Sequence, residues 1–182
     1  LVPVFLGSFW APDALVSDEQ RQFLLGTFNS TASLILVILA PFLGAIADRI
    51  AGKKKFLAFF WLVGIFMSAA LAFLAYGQYI LALTFYAIGT VGFSGANIFY
   101  DSLLPAVASK KKIDYVSSLG FSLGYIGGGL LFTINVVMIL FHESLGLTEI
   151  RAVQWSFISV AIWWFIFSIP IFKMVPEPYA SD

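Results

Sequence analysis

Apolar residues run along this chain in long blocks, and polar residues collect in the short gaps between them. A helix needs about 20 mostly apolar residues to cross the hydrocarbon of a bilayer. Four blocks meet that length: 28–47, 56–76, 80–100 and 119–141. A fifth, 155–175, carries a charge only at Lys173, close to its end. Residues 1–10 are apolar too, but cover only about half a span, and read as the tail of a helix. None of the blocks alternates apolar with polar positions, as barrel strands do over about 10 residues. Lipid offers the backbone no hydrogen-bonding partners, so helices, which pair those groups internally, are the expected element. The pattern predicts an all-α polytopic membrane helix bundle, a single transmembrane domain over 1–182 with one partial and five complete spans. Because Leu1 falls inside an apolar stretch, a fragment lacking most of its first helix is expected.

The polar gaps alternate in charge. Arg49, Lys53, Lys54 and Lys55 follow the first complete span, Lys110, Lys111 and Lys112 follow the third, and Lys173 ends the fifth. Eight of the ten cations therefore share one side. The other side holds Arg21 and Arg151 beside Asp13, Asp18, Glu19, Glu143 and Glu149. Short loops rich in Lys and Arg stay cytoplasmic, so the basic loops are assigned to the cytoplasm. Trp10, Tyr76, Tyr79 and Trp155 then fall at the outer interface, as an aromatic belt requires. The short loops favour a bacterial inner (cell) membrane over a vacuole.

Composition narrows the chemistry. Hydrophobic residues make up 60% of the chain and charged ones 11%, whereas a soluble domain carries about 25% charged residues. Membrane lipid is thus an expected partner, and a net charge of zero offers nucleic acid nothing. With no Cys and one His (His142, in an outer loop), neither disulfides nor a metal cluster are expected, and no cofactor is implied.

The turn between the first two complete spans reads Gly44-Ala-Ile-Ala-Asp48-Arg49-Ile-Ala51-Gly52-Lys53-Lys54-Lys55. It resembles the signature loop of the major facilitator superfamily, Gly-x-x-x-Asp-Arg-x-Gly followed by basic residues. It departs from that pattern in the extra Ala51 and in Lys where Arg is usual. Gly44 suits close helix contact. Asp48 stands where it can accept from Arg49 or from the positive N-terminal end of another helix. The resemblance implies a conformational latch of Gly44, Asp48, Arg49 and Lys53; the plainer reading is a topology signal alone. A second pattern lies downstream: Asn97-Ile-Phe-Tyr100-Asp101-Ser-Leu-Leu-Pro105, then Ser118-Leu-Gly120-Phe-Ser-Leu-Gly124-Tyr-Ile-Gly127-Gly128-Gly129. Together these resemble the vacuole-effluxer-like branch of that superfamily, which includes autophagy-related vacuolar amino-acid effluxers. The resemblance implies a multi-pass permease of two six-helix halves, with substrate held between them near the midplane. This chain would be the N-terminal half, and the C-terminal half of the same polypeptide its partner.

Candidate substrate contacts come from the polar residues within spans, because such residues are costly in lipid and face protein or a wet cavity. Tyr86, Thr90, Phe93, Asn97 and Asp101 share one helical stripe, and Ser118, Ser122, Tyr125 and Gly129 share another. The cavity candidates are Tyr86, Thr90, Asn97, Tyr100, Asp101, Ser122 and Tyr125, a set suited to a small zwitterionic or neutral polar solute. Ordinary interhelical hydrogen bonding explains the same residues. Gly120, Gly124 and Gly128 form a ladder better suited to helix packing than to a ligand. Asp101 sits at the cytoplasmic end of its span, which argues against a proton relay.

An enzyme needs an acid/base pair, a nucleophile dyad or a metal cluster, and the spans carry none. The reading is a secondary transporter moving a small solute, such as a neutral amino acid in amino-acid efflux, by alternating access. The alternative is a non-transporting membrane protein: a lipid scramblase, a sensor or a partner-binding subunit.

Overall fold

The computed structural model describes residues 2–13, 15–49 and 52–177, without the side chains of Val4, Ser8, Ala47 and Asp48. Ala51 lies outside these. A helical turn α1 (Val2–Phe5) winds on as a π-type turn over Leu6–Trp10, closed by the Ala11 N–H donating to Leu6 O at 2.6 Å. Then come α2 (Asp18–Arg49), α3 (Lys53–Ala70, extended by a 3-10 turn over Leu71–Phe73), α4 (Tyr79–Ser102) and the short α5 (Leu104–Val107). The chain ends with α6 (Ile113–Leu140) and α7 (Glu149–Met174). Among the described residues there is no strand, and five helices are long and apolar enough to cross a membrane.

The helices overrun the apolar blocks that predict them. Helix α2 starts at Asp18 rather than 28 because Ser17 and Gln20 form a capping box: Gln20 N–H donates to Ser17 Oγ at 3.4 Å, and Ser17 N–H to Gln20 Oε1 at 3.3 Å. Helix α7 starts at Glu149 rather than 155 because Thr148 Oγ1 accepts from the Arg151 N–H. Helix α6 begins at Ile113, six residues ahead of its block. The second block runs through Tyr76, yet the chain leaves the helix at Leu74, which is extended. Between α4 and α5, Pro105 has no N–H to continue the ladder, so the chain bends at Leu103 and restarts.

Helix α4 is central. It packs most extensively on α3 and then on α2, while α3 also contacts α7. The α3–α4 crossing is a backbone contact through two glycines: a Cβ on Gly92 would lie 2.7 Å from Gly64 N and 3.0 Å from Phe60 O. Small residues are how membrane helices approach this closely. Phe56 and Phe60 of α3 both stack on Phe99, at 5.2 and 5.9 Å between centroids. At the opposite end a second cluster gathers Phe5, Trp10, Leu83 and Phe157 under the first turn. Arg21 secures that turn by donating to Ala11 O (2.7 Å), Gly7 O (3.4 Å), Asp13 (2.6 Å) and Asp18.

Helix α6 is the outlier. It contacts mainly α7 and is exposed along most of its length. A buried polar contact joins it to α7: Ser159 Oγ lies 2.9 Å from Oδ1 of the buried Asn135 and 2.8 Å from Ser156 O, the two acceptors sharing its one proton. Nearby, Gly127 lies against the Trp163 indole.

Candidate functional site

Below that attachment α6 diverges from α4 and α7, and a groove of about 980 Å³ opens between them, floored by α5. Helix α4 contributes Phe93, Asn97, Tyr100 and Asp101; α6 contributes Ser117, Gly120, Phe121, Gly124 and Tyr125. Helix α7 closes the third side with Phe167, Pro170, Ile171 and Met174. The volume sits at the upper end of the range for small-molecule sites. The groove exists because α4 divides its faces. Gly92, Gly95, Ala96, Phe99 and Leu103 are buried, while Phe93, Asn97, Tyr100 and Asp101, one position round the helix, are exposed. The glycine on α6 matters here too: a Cβ on Gly120 would stand 3.4 Å from the Tyr100 hydroxyl.

Of the seven cavity candidates, four meet in this groove: Asn97, Tyr100, Asp101 and Tyr125. The other three lie outside its lining. Thr90 Oγ1 donates to Tyr86 O at 2.9 Å and Ser122 Oγ to Ser118 O at 2.8 Å, so both hydroxyls are satisfied within their own helices. Tyr86 and Thr90 continue the Asn97 stripe toward the far end of α4. A smaller void of about 110 Å³ lies behind the groove, toward α3, and shares Asn97, Tyr100, Phe167 and Ile171 with it. The α7 wall and Ser117 escaped sequence reasoning. Nothing in an apolar run says which helix it will face.

The basic turn has a definite local role. Gly52 adopts φ = 120°, a conformation favouring glycine, and its N–H donates to Glu177 Oε1 at 3.0 Å. Lys54 Nζ donates to Phe172 O at 3.1 Å and to Val175 O, and Lys53 Nζ reaches Ser102 O at 3.4 Å. These are carbonyls at the C-terminal ends of α7 and α4, where a cation complements the negative end of the helix dipole. The turns thus share one end of the bundle with the ends of α4 and α7. For the latch set, Arg49 is exposed, Gly44 meets no atom within 4 Å of where a Cβ would sit, and the Asp48 side chain lies outside the described residues. In the α6 ladder, Gly124 and Gly128 likewise meet nothing within 4 Å, so inside this chain the close crossing is Gly64–Gly92. No group of His, Cys, Asp or Glu capable of holding a metal occurs among the described residues.

An all-helical bundle with five bilayer-length spans and a groove opening at one end defines a multi-pass integral membrane protein. Residues 23–181 match the family described as "Vacuole effluxer Atg22 like", and the chain belongs to that family, which is a transporter family and not an enzyme class. It is 40% identical over 179 residues to the "Uncharacterized MFS-type transporter YxiO" of Bacillus subtilis (strain 168), covering 97% of this chain and 42% of that protein. It is 31% identical over 143 residues to an "Uncharacterized protein" of Aquifex aeolicus (strain VF5), covering 79% and 34%. The chain therefore spans less than half the length of these curated relatives. No solved structure matches it.

Proposed function

We propose that this chain forms one half of a secondary transporter that carries a small solute across a membrane by alternating access. The observation that carries this reading is the groove itself, in which an amide, a carboxylate and hydroxyls from α4 and α6 converge among aromatic rings. Polar side chains at that depth are costly unless they face protein or a wet cavity. The exposed faces of α2 and α6 suit a C-terminal half of the same polypeptide, completing the cavity as the halves of such carriers do. Family membership favours efflux of neutral amino acids as the first substrates to try. The basic end is cytoplasmic in this reading, and the membrane a bacterial inner membrane.

Counterflow of labelled neutral amino acids in proteoliposomes holding the full-length protein tests the proposal. Saturable exchange that is lost in Asn97→Ala is the expected result. No exchange by a folded protein, across the panel and with or without a pH gradient, removes the amino-acid assignment and leaves a non-transporting role. Orientation is tested separately. This chain has no cysteine, so once any cysteine elsewhere in the full-length protein is replaced, single cysteines at Lys111 and Glu143 should label from opposite sides with an impermeant maleimide.

A further inference from the structure

The groove has one sign of charge. Among the described residues, Asp101 is the only formally charged side chain on its wall, and no Lys, Arg or His lines it. Both ion pairs among the described residues belong to Arg21, at the other end of the bundle, so neither involves Asp101. The same wall carries five aromatic rings, those of Phe93, Tyr100, Phe121, Tyr125 and Phe167. Aromatic faces attract cations through the ring quadrupole, and a desolvated cation needs a counter-charge that Asp101 supplies. A carboxylate entering the same space meets a like charge and no compensating cation from the described residues of this chain.

We infer that this groove receives a positively charged group on an apolar body, and therefore accepts primary amines that lack the α-carboxylate of an amino acid. Asp101 pairs with the ammonium, and the aromatic wall and Ile171 cover the hydrocarbon. The inference rests on the carrier reading for its physiological meaning, but binding can be measured without transport.

The test uses the full-length protein in detergent and three probes of one shape: isopentylamine, isopentyl alcohol and leucine. Calorimetric titration should show the amine binding at least as tightly as leucine, and at least about tenfold more tightly than the alcohol, as expected for a hydrogen bond to a charged group. Asp101→Asn should remove that preference and leave alcohol binding unchanged, while Asp101→Glu retains it. An alcohol that binds as well as the amine, an amine preference that survives Asp101→Asn, or no amine binding overturns the inference. If Asp101→Asn does not fold, the wild-type ratio of amine to alcohol decides alone. Counterflow separates this inference from the carrier reading. Leucine exchange without amine binding sinks only the inference, whereas amine binding without exchange of any probe upholds it and sinks the carrier.

Discussion

Gly92→Ala adds one methyl group at the tightest place in the bundle. The new Cβ would lie 2.7 Å from Gly64 N, 3.0 Å from Phe60 O and 3.1 Å from Gly64 Cα. All three are backbone atoms, so no rotamer change relieves the clash. Ordinary contact begins near 3.4 Å, and in an interior packed to crystal density α3 and α4 must separate by about 0.7 Å. Overpacking of this kind costs about 1–3 kcal/mol. Alanine recovers about 0.5–1 kcal/mol over glycine inside a helix. The net expectation is a loss of about 1–2 kcal/mol, since the separation also loosens the Phe56–Phe99 and Phe60–Phe99 stacks. Reversible unfolding in mixed micelles measures it, with Gly128→Ala as the reference, because a Cβ at Gly128 meets nothing within 4 Å. The reference should match the wild type or exceed it. Equal stability of Gly92→Ala and wild type would refute the backbone crossing, as would an equal loss at Gly128.

Other expectations follow from single contacts. Lys54→Met removes the cation from the end of α7, at a cost of about 1 kcal/mol; amide exchange near Phe172–Val175 should quicken, and Lys55→Met, on an exposed side chain, should not change it. A double-mutant cycle of Asn135→Leu and Ser159→Ala should return a coupling of about 0.6 kcal/mol, the usual size for a hydrogen bond between membrane helices; a coupling of zero means that α6 is held by packing alone. Arg21→Gln frees the carbonyls of Gly7 and Ala11 and unpairs Asp13 and Asp18. The melting temperature should then fall and protease should cut between residues 11 and 17 more readily, with Arg21→Lys only a partial rescue because an ammonium lacks the guanidinium fork.

Which parts of this architecture were legible depends on what each signal is made of. Helix existence was plain because hydrophobicity over about 20 residues is a property of the run itself. Helix starts lie several residues ahead of the apolar blocks, and hydropathy gives them no weight because the residues that set them are polar, as in the Ser17-x-x-Gln20 capping pattern. The stripe on α4 placed Asn97 and Asp101 correctly on one face, since a helical repeat fixes which residues point together. The same repeat could not say that Thr90 and Ser122 would spend their hydroxyls on their own helices, because that depends on side-chain rotamer. The glycine ladder on α6 is the more conspicuous pattern in the sequence, yet within this chain it is the single Gly64 on α3 that meets another helix through its backbone. A glycine records permission for close approach, and only the partner decides whether it is used.

Helix α4 links these observations mechanically. Its glycine face is clamped to α3, and Lys53 holds its C-terminal end from the basic turn. Lys54 does the same for α7, which also lies against α3. Helices α4 and α7, two walls of the groove, are thus both packed on α3 and tied to its basic N-terminal turn. The third wall, α6, is joined through Asn135–Ser159 and the Gly127–Trp163 contact and stands apart at the groove. Along that wall Gly120 comes within contact of the Tyr100 hydroxyl of α4, whereas Gly124 meets nothing.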